Sequence, residues 1–421
     1  MNTFLLRFLC AIGLVVSIAA TAHTRELAGR VIDADSGAAI ADAVVTADGH
    51  AVRTDAGGRF DIEVTGSRLG VRAAGYERRN TDIAAAAAAP IRLRPFAAKA
   101  LYLSFYGIGS ATLRNAALDL IHRTALNAMV IDIKGDRGLV PYRSALPLVS
   151  EAGAQKTITI PDLPALLQSL HAQGVYTIAR IVTFKDDLLA AAHPDWAVKR
   201  QDGSIFRDRE GLRWVDPTRR EVWDYDIALT VEAARAGFDE IQFDYLRFPD
   251  DKSTRFGAGN TQQIRTRAIA GFLDAARERL VPYNVFLAAD VFGYICWNSD
   301  DTGIGQRLED IVPRIDYLSP MLYPSGFQFG IPGYRDPVAH VYEIVKQSLD
   351  KVHARTGISP RRVRPWLQAF KDYAFDRRMF GSDEIRQQIR AADAFGSGGW
   401  MLWNPRNVYS GEGLEQQLAC R

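Results

Sequence analysis

From about residue 99 onward, short apolar runs alternate with longer amphipathic stretches, eight times over. The runs fall at 100–106, 128–134, 176–183, 240–248, 285–292, 315–323, 363–370 and 400–404, with stretches such as 218–236 and 262–280 between them. Near-continuous apolar strands separated by helices define a parallel sheet covered on both faces. Eight such units predict an α/β fold of the (β/α)8 TIM-barrel type. A doubly wound open sheet is the alternative, but no glycine-rich fingerprint follows the first strand.

A barrel turns alternate residues of each strand inward and places functional groups at the C-terminal strand ends. In the fourth strand this rule puts Gln242 and Asp244 inside, with Asp244 late. In the fifth, Asp290 is late and inward on the face of Phe286 and Ala288. The second strand offers Asp132 and Lys134, and the third Arg180. The first gives Tyr102, Ser104 and Tyr106, and the sixth ends at Tyr323 and Ser325. The seventh gives Trp366 and Gln368, and the eighth Trp403 and Asn404. Charges inside a barrel cost several kcal/mol each unless paired or solvated, so this concentration marks a site.

Ahead of the barrel the pattern differs. Residues 8–20 form an apolar run after Arg7, and Ala20-Thr21-Ala22 fits a small-x-small cleavage site. The run is shorter than the ~20 residues of a membrane span. Residues 1–22 therefore read as an export signal, and the mature chain as periplasmic or secreted. A retained anchor is the other reading. Residues 23–95 read as short strands and turns, a small β-sandwich. In that region 84–89 is an all-alanine segment, expected as a loop, and 91–94 a last strand. The barrel domain takes 96–421. Cys296 and Cys420 remain after export, and could pair or stay as thiols.

The sequence holds 51 Lys and Arg against 49 Asp and Glu. That balance excludes the basic footprint of a nucleic-acid binder. There is no Gly-x-Ser-x-Gly elbow and no phosphate-binding loop. His193 has no second histidine at ligand spacing. No metal and no cofactor is expected. Two carboxylates on neighbouring strands, ringed by aromatics, fit glycoside hydrolysis instead. One carboxylate attacks or activates water, and the other protonates the leaving oxygen. Arg180 and Arg247 would hold the first ionised, and Tyr106, Asp132, Lys134, Tyr323, Trp366, Gln368 and Trp403 would contact sugar.

Two resemblances sharpen this reading. Gly29-x-Val31-x-Asp33, Ser36-Gly37, Ile40-x-Asp42-Ala43-x-Val45, Thr54-Asp55-x-x-Gly58-x-Phe60 and Ala74-Gly75-Tyr76 resemble the carboxypeptidase regulatory-like domain. That implies a transthyretin-like sandwich without catalysis, a spacer or a module for an envelope or matrix partner. Asp239-Glu-Ile-Gln-Phe-Asp244-Tyr-Leu-Arg247-Phe-Pro249 is similar to the fourth-strand signature of a TIM-barrel family assigned to the glycoside hydrolases by inference from fold. Val130-Ile-Asp132-Ile-Lys134-Gly135, Ala288-Ala-Asp290-Val-Phe-Gly293, Ser319-Pro-Met-Leu-Tyr323-Pro324 and Gly399-Trp400-x-x-Trp403-Asn404 support it. The family looks like a distant relative of the α-amylase and melibiase groups, which implies Asp244 as nucleophile. The amylase-like enzymes use a fifth-strand glutamate as acid, where this chain has Asp290. The expectation is an exported hydrolase of a bacterial surface or matrix polysaccharide. A carbohydrate-binding barrel without turnover, or an envelope interaction protein, is the alternative.

Overall fold

The structure is a computed structural model and describes residues 24–416. The expected signal segment and Cys420 lie outside the described residues. No described helix is long and apolar enough to cross a membrane.

Seven strands build the small domain: β1 (Arg25–Asp33), β2 (Val44–Ala47), β3 (His50–Arg53), β4 (Arg59–Val64), β5 (Arg68–Arg72), β6 (Arg79–Asp82) and β7 (Ile91–Leu93). They form two sheets, in the orders β4-β1-β7 and β3-β2-β5-β6. Strict alternation in β4 sends Phe60, Ile62 and Val64 into a core with Val31, Val45, Leu69 and Val71. The motif residues are the corners of this sandwich. Asp33 accepts from the backbone of Asp35 and Ser36 at 2.9 Å and from the Tyr76 hydroxyl at 3.0 Å. Gly58 has φ +73°, and a Cβ there would lie 2.4 Å from the Val31 carbonyl. The alanine run is not a loop: Ile83–Ala88 is helical, with Ile83 and Ala86 buried against the sandwich. Alanine's helix propensity and the paired flanking strands account for this.

The eight expected barrel strands are all present. They are β8 (Ala98–Leu103), β9 (Ala128–Lys134), β10 (Tyr176–Val182), β12 (Glu240–Asp244), β14 (Phe286–Phe292), β15 (Tyr317–Met321), β16 (Trp366–Gln368) and β17 (Gly399–Trp403). Every neighbouring pair is parallel, and β17 closes on β8. Two-residue strands β11 (Lys199–Arg200) and β13 (Thr254–Arg255) form a ladder between loops. Helices such as Arg220–Ala236 and Gln262–Leu280 bury one face against the barrel's outer side.

The barrel interior is layered. At the N-terminal end, Arg364 pairs with Glu240 at 2.7 Å and lies 3.9 Å from the Tyr317 ring centre. Tyr176 donates to the same carboxylate at 2.9 Å. The small domain docks on this end. Arg78 reaches Asp239 at 2.9 Å, and Gly75 N–H donates to the Tyr317 hydroxyl at 2.9 Å. Asn284 donates to the Arg79 carbonyl at 3.2 Å. The sandwich therefore closes the end of the barrel opposite the strand C-termini.

Candidate active site

The C-terminal layer is built around one guanidinium. Arg180 projects inward from β10, beside Asp132 on β9 and Gln242 on β12. Its Nε donates to Asp244 Oδ2 at 2.9 Å, and one terminal nitrogen donates to the same oxygen. The other terminal nitrogen donates to Asp132 Oδ1 at 2.7 Å. Tyr102 donates to Asp132 Oδ2 at 2.6 Å. The guanidinium lies 4.9 Å from the Trp403 ring centre, and Trp403 stacks on Tyr102 at 3.9 Å. Burial opposes its charge, but Asp244 and Asp132 outweigh that and hold it firmly protonated.

Strand β12 ends at Asp244. The next residue, Tyr245, has φ +47°, a left-handed backbone unusual for a tyrosine. This turn lets Tyr245 N–H donate to Asp244 Oδ1 at 2.6 Å. Three donors thus face Asp244 and fix its orientation.

Asp290, on the adjacent strand β14, sits in the opposite environment. Trp366 Nε1 donates to its Oδ1 at 2.8 Å, while its Oδ2 is buried without a hydrogen-bond partner among the described residues. Burial, then the charge of Asp244, push this carboxyl well above the usual carboxylate range. This environment favours the protonated form, which a general acid needs.

Both aspartates open on one cleft of about 300 Å³. Arg180, Arg247, Tyr323, Trp366 and Trp403, all expected from sequence, line it. So do Tyr245, Asp250, Phe292, Thr302, Ile304, Gln306 and Met321, which the strand-alternation rule misses because most follow strand ends in loops. Gln306 could not be read from sequence: its amide braces the carbonyls of Leu246 and Asp290, both at 3.2 Å. Among the described residues, no group of three or more His, Cys, Asp or Glu is placed to hold a metal ion.

Four expected sugar contacts do not line the cleft. Lys134 is fully buried, donating to Asp226 at 2.6 Å and Asp186 at 2.9 Å. A register shift in the β9–β10 pairing pairs Lys134 with Ile181 and skips Ile133, which breaks the alternation that would have turned Lys134 inward. Gln368 is buried under the Pro324–Gly326 turn, donating to Ser325 Oγ at 2.7 Å. Tyr106 is not on a strand: Ser104 caps the helix Phe105–Gly109, which leaves Tyr106 57% exposed. Asp132 is 3% exposed and acts through Arg180. Arg247 lines the cleft but forms no ion pair or hydrogen bond with Asp244; Arg180 makes that pair.

A closed (β/α)8 barrel with a two-carboxylate cleft at its C-terminal end defines the class. Residues 100–409 match the family described as "Putative glycosyl hydrolase domain", and the chain belongs to this family. Among solved structures it is similar to the PgaB (BpsB) glycoside hydrolase domain from Bordetella bronchiseptica, with 13% identity and a TM-score of 0.55, covering 76% of this chain and 99% of that one. A β-galactosidase from the psychrophilic Marinomonas ef1 gives 11% identity and a TM-score of 0.55, covering 73% of this chain and 54% of that one. These two likenesses show the fold. A hypothetical protein from Ruminiclostridium thermocellum is 42% identical with a TM-score of 0.42, covering 45% of this chain and 97% of that one. No curated protein matches the chain.

Proposed function

We propose that the chain is an exported glycoside hydrolase acting on a bacterial surface or matrix polysaccharide, with Asp244 as nucleophile and Asp290 as acid and base. One observation carries this reading. Two carboxyls on neighbouring strands open on the same cleft, one facing three donors and the other desolvated with a bare oxygen. A carboxyl raised by burial beside one fixed by three donors fits the acid and the nucleophile of a two-carboxylate mechanism.

In the first step the glycosidic C–O bond breaks. Asp290 gives its proton to the departing oxygen while Asp244 bonds to the anomeric carbon. Water then attacks that carbon, losing a proton to Asp290, and Asp244 is released as the carboxylate. Arg180 fixes Asp244 Oδ2, Trp366 holds Asp290 through its Nε1, and the partly exposed Trp403 at the cleft wall gives the sugar an aromatic contact. The short, apolar N-terminal run of residues 8–20, with its small-x-small end, supports export.

Reducing-end release tests the reading, with the mature protein incubated on amino-sugar, galactose-type and glucose-type polysaccharides. Release from one class supports it. Binding to a polysaccharide without release from any would favour the carbohydrate-binding barrel.

A further inference from the structure

A second hollow of about 500 Å³ adjoins the cleft and shares Tyr245, Arg247 and Asp250 with it. Its wall is rich in cations, and most are already committed. Lys185 pairs with Glu210 at 3.0 Å and Asp208 at 3.4 Å, Arg207 donates to the Gly211 carbonyl at 2.7 Å, and Arg200 donates to Ser253 Oγ at 2.9 Å and the Arg207 carbonyl at 3.3 Å. Two guanidinium groups are left over. Arg247 is half-buried and lies 4.9 Å from the Trp214 ring centre and 5.4 Å from that of Tyr245. Its one hydrogen bond is to the Phe248 carbonyl at 3.1 Å, and it has no carboxylate partner among the described residues. Arg209 is exposed, lines the same hollow, and likewise has no ion-pair or hydrogen-bond partner among the described residues. Asp250 is the carboxylate on this wall without a partner, so cations exceed anions among the free groups.

We infer that Arg247 and Arg209 form a subsite for an oxyanion carried on a sugar ring, a uronate carboxylate or a sulfate ester, which makes the substrate an acidic polysaccharide. This rests on the hydrolase reading of the adjoining cleft. A guanidinium already held between the Trp214 and Tyr245 rings has little freedom left to lose, and its unused N–H groups match a two-oxygen acceptor. Arg180 cannot serve this purpose, because its donors are spent on Asp244 and Asp132. Arg247 shares both hollows, so the charge on the sugar would lie beside the scissile bond rather than at a remote surface.

Matched glycan pairs test this by titration calorimetry with the full mature chain. The pairs are polygalacturonate and its methyl ester, alginate and its propylene glycol ester, and a sulfated galactan and its desulfated form. The acidic member of at least one pair should bind about tenfold tighter, a preference that weakens as salt is added. The uronate pairs and the sulfate pair distinguish the two sources of charge. Arg209→Gln and Arg247→Gln should each shrink the acidic-to-neutral ratio by about threefold or more. The exposed Arg209 keeps the test sound even if Arg247→Gln disturbs packing on Trp214. If no acidic form binds more tightly than its neutral partner, or if neither substitution changes the ratio, the subsite is overturned. Reducing-end release separates this from the hydrolase reading. An acidic preference without release would sink hydrolysis and keep the subsite, while equal cleavage of acidic and neutral forms would sink only the subsite.

Discussion

Arg180 and Asp244 form a buried pair in which two guanidinium nitrogens converge on one carboxylate oxygen, while the third reaches Asp132. The pair fixes the carboxylate's orientation and leaves Oδ1 to the Tyr245 backbone. Arg180→Gln leaves two buried carboxylates without their cation, which should cost about 3–5 kcal/mol of stability. Catalysis should fall by about 10²-fold or more through misplacement of Asp244. Thermal melts and initial rates check both. A variant that melts and turns over like the wild type would remove Arg180 from the account.

Asp290 makes a pH prediction with a definite sign. Its folded-state value is raised above the unfolded one, so its proton favours folding fully below about pH 4. That contribution is lost as pH rises toward the folded value. Asp290→Asn removes the buried charge, so its melting temperature should decline less than that of the wild type toward alkaline pH. The rate of the wild type should fall on the alkaline side as the acid deprotonates, and this limb should vanish in the variant. Aryl glycosides with good leaving groups should be hydrolysed with a smaller loss. Identical alkaline limbs in the two proteins would contradict the assignment.

Lys134 separates scaffold from site. It holds Asp186, whose Oδ1 caps the helix Asp187–Ala192 through Leu189 N–H at 2.9 Å, and Asp226 on the helix Arg220–Ala236. Burial, then the neighbouring Asp186, push Asp226 up against the pull of Lys134, to about 7. Lys134→Met should therefore cost about 3–5 kcal/mol in a denaturant titration. KM of the remaining folded enzyme should stay within about twofold, because a group outside the cleft makes no differential contact with substrate. A large rise in KM with unchanged stability would return Lys134 to the substrate site.

The barrel and its two aspartates were legible because period-two alternation and the strand-end rule are local, and β10, β12 and β14 obey them. Asp244 and Asp290 sit where that counting puts them. Lys134 failed because one irregular residue in β9 breaks the count, and bulges carry no sequence mark here. Tyr106 failed because the serine at 104 starts a helix where a strand was continued. Gln368 obeys the count, yet its end of β16 is roofed by the Pro324–Gly326 turn. The polyalanine segment failed because loop expectation ignored helix propensity. The cleft residues from loops, such as Thr302 and Gln306, are brought in by long-range closure that no local pattern encodes.

Arg78 tests how the sandwich is held. Its guanidinium spans Asp239 and the carbonyl of Phe238, the latter at 3.2 Å. Burial raises the Asp239 carboxyl, but His171 and Arg78 outweigh it and hold it below its ordinary value. Its stabilising contribution is present above about pH 4 and is lost as pH falls through the folded value. Arg78→Ala should cost about 1–3 kcal/mol and speed protease cleavage between the sandwich and barrel, near residues 94–97. Cleavage unchanged from the wild type would show that the other contacts hold the domain alone.

The central claim is that Asp244 breaks glycosidic bonds, and Asp244→Asn tests it most directly. The substitution keeps the shape of the side chain while removing its charge. On whichever polysaccharide the wild type cleaves, reducing-end release by the variant should fall by about 10³-fold or more, while calorimetry still detects the glycan. Release at the wild-type rate, with binding intact, would place the chemistry elsewhere and contradict the account.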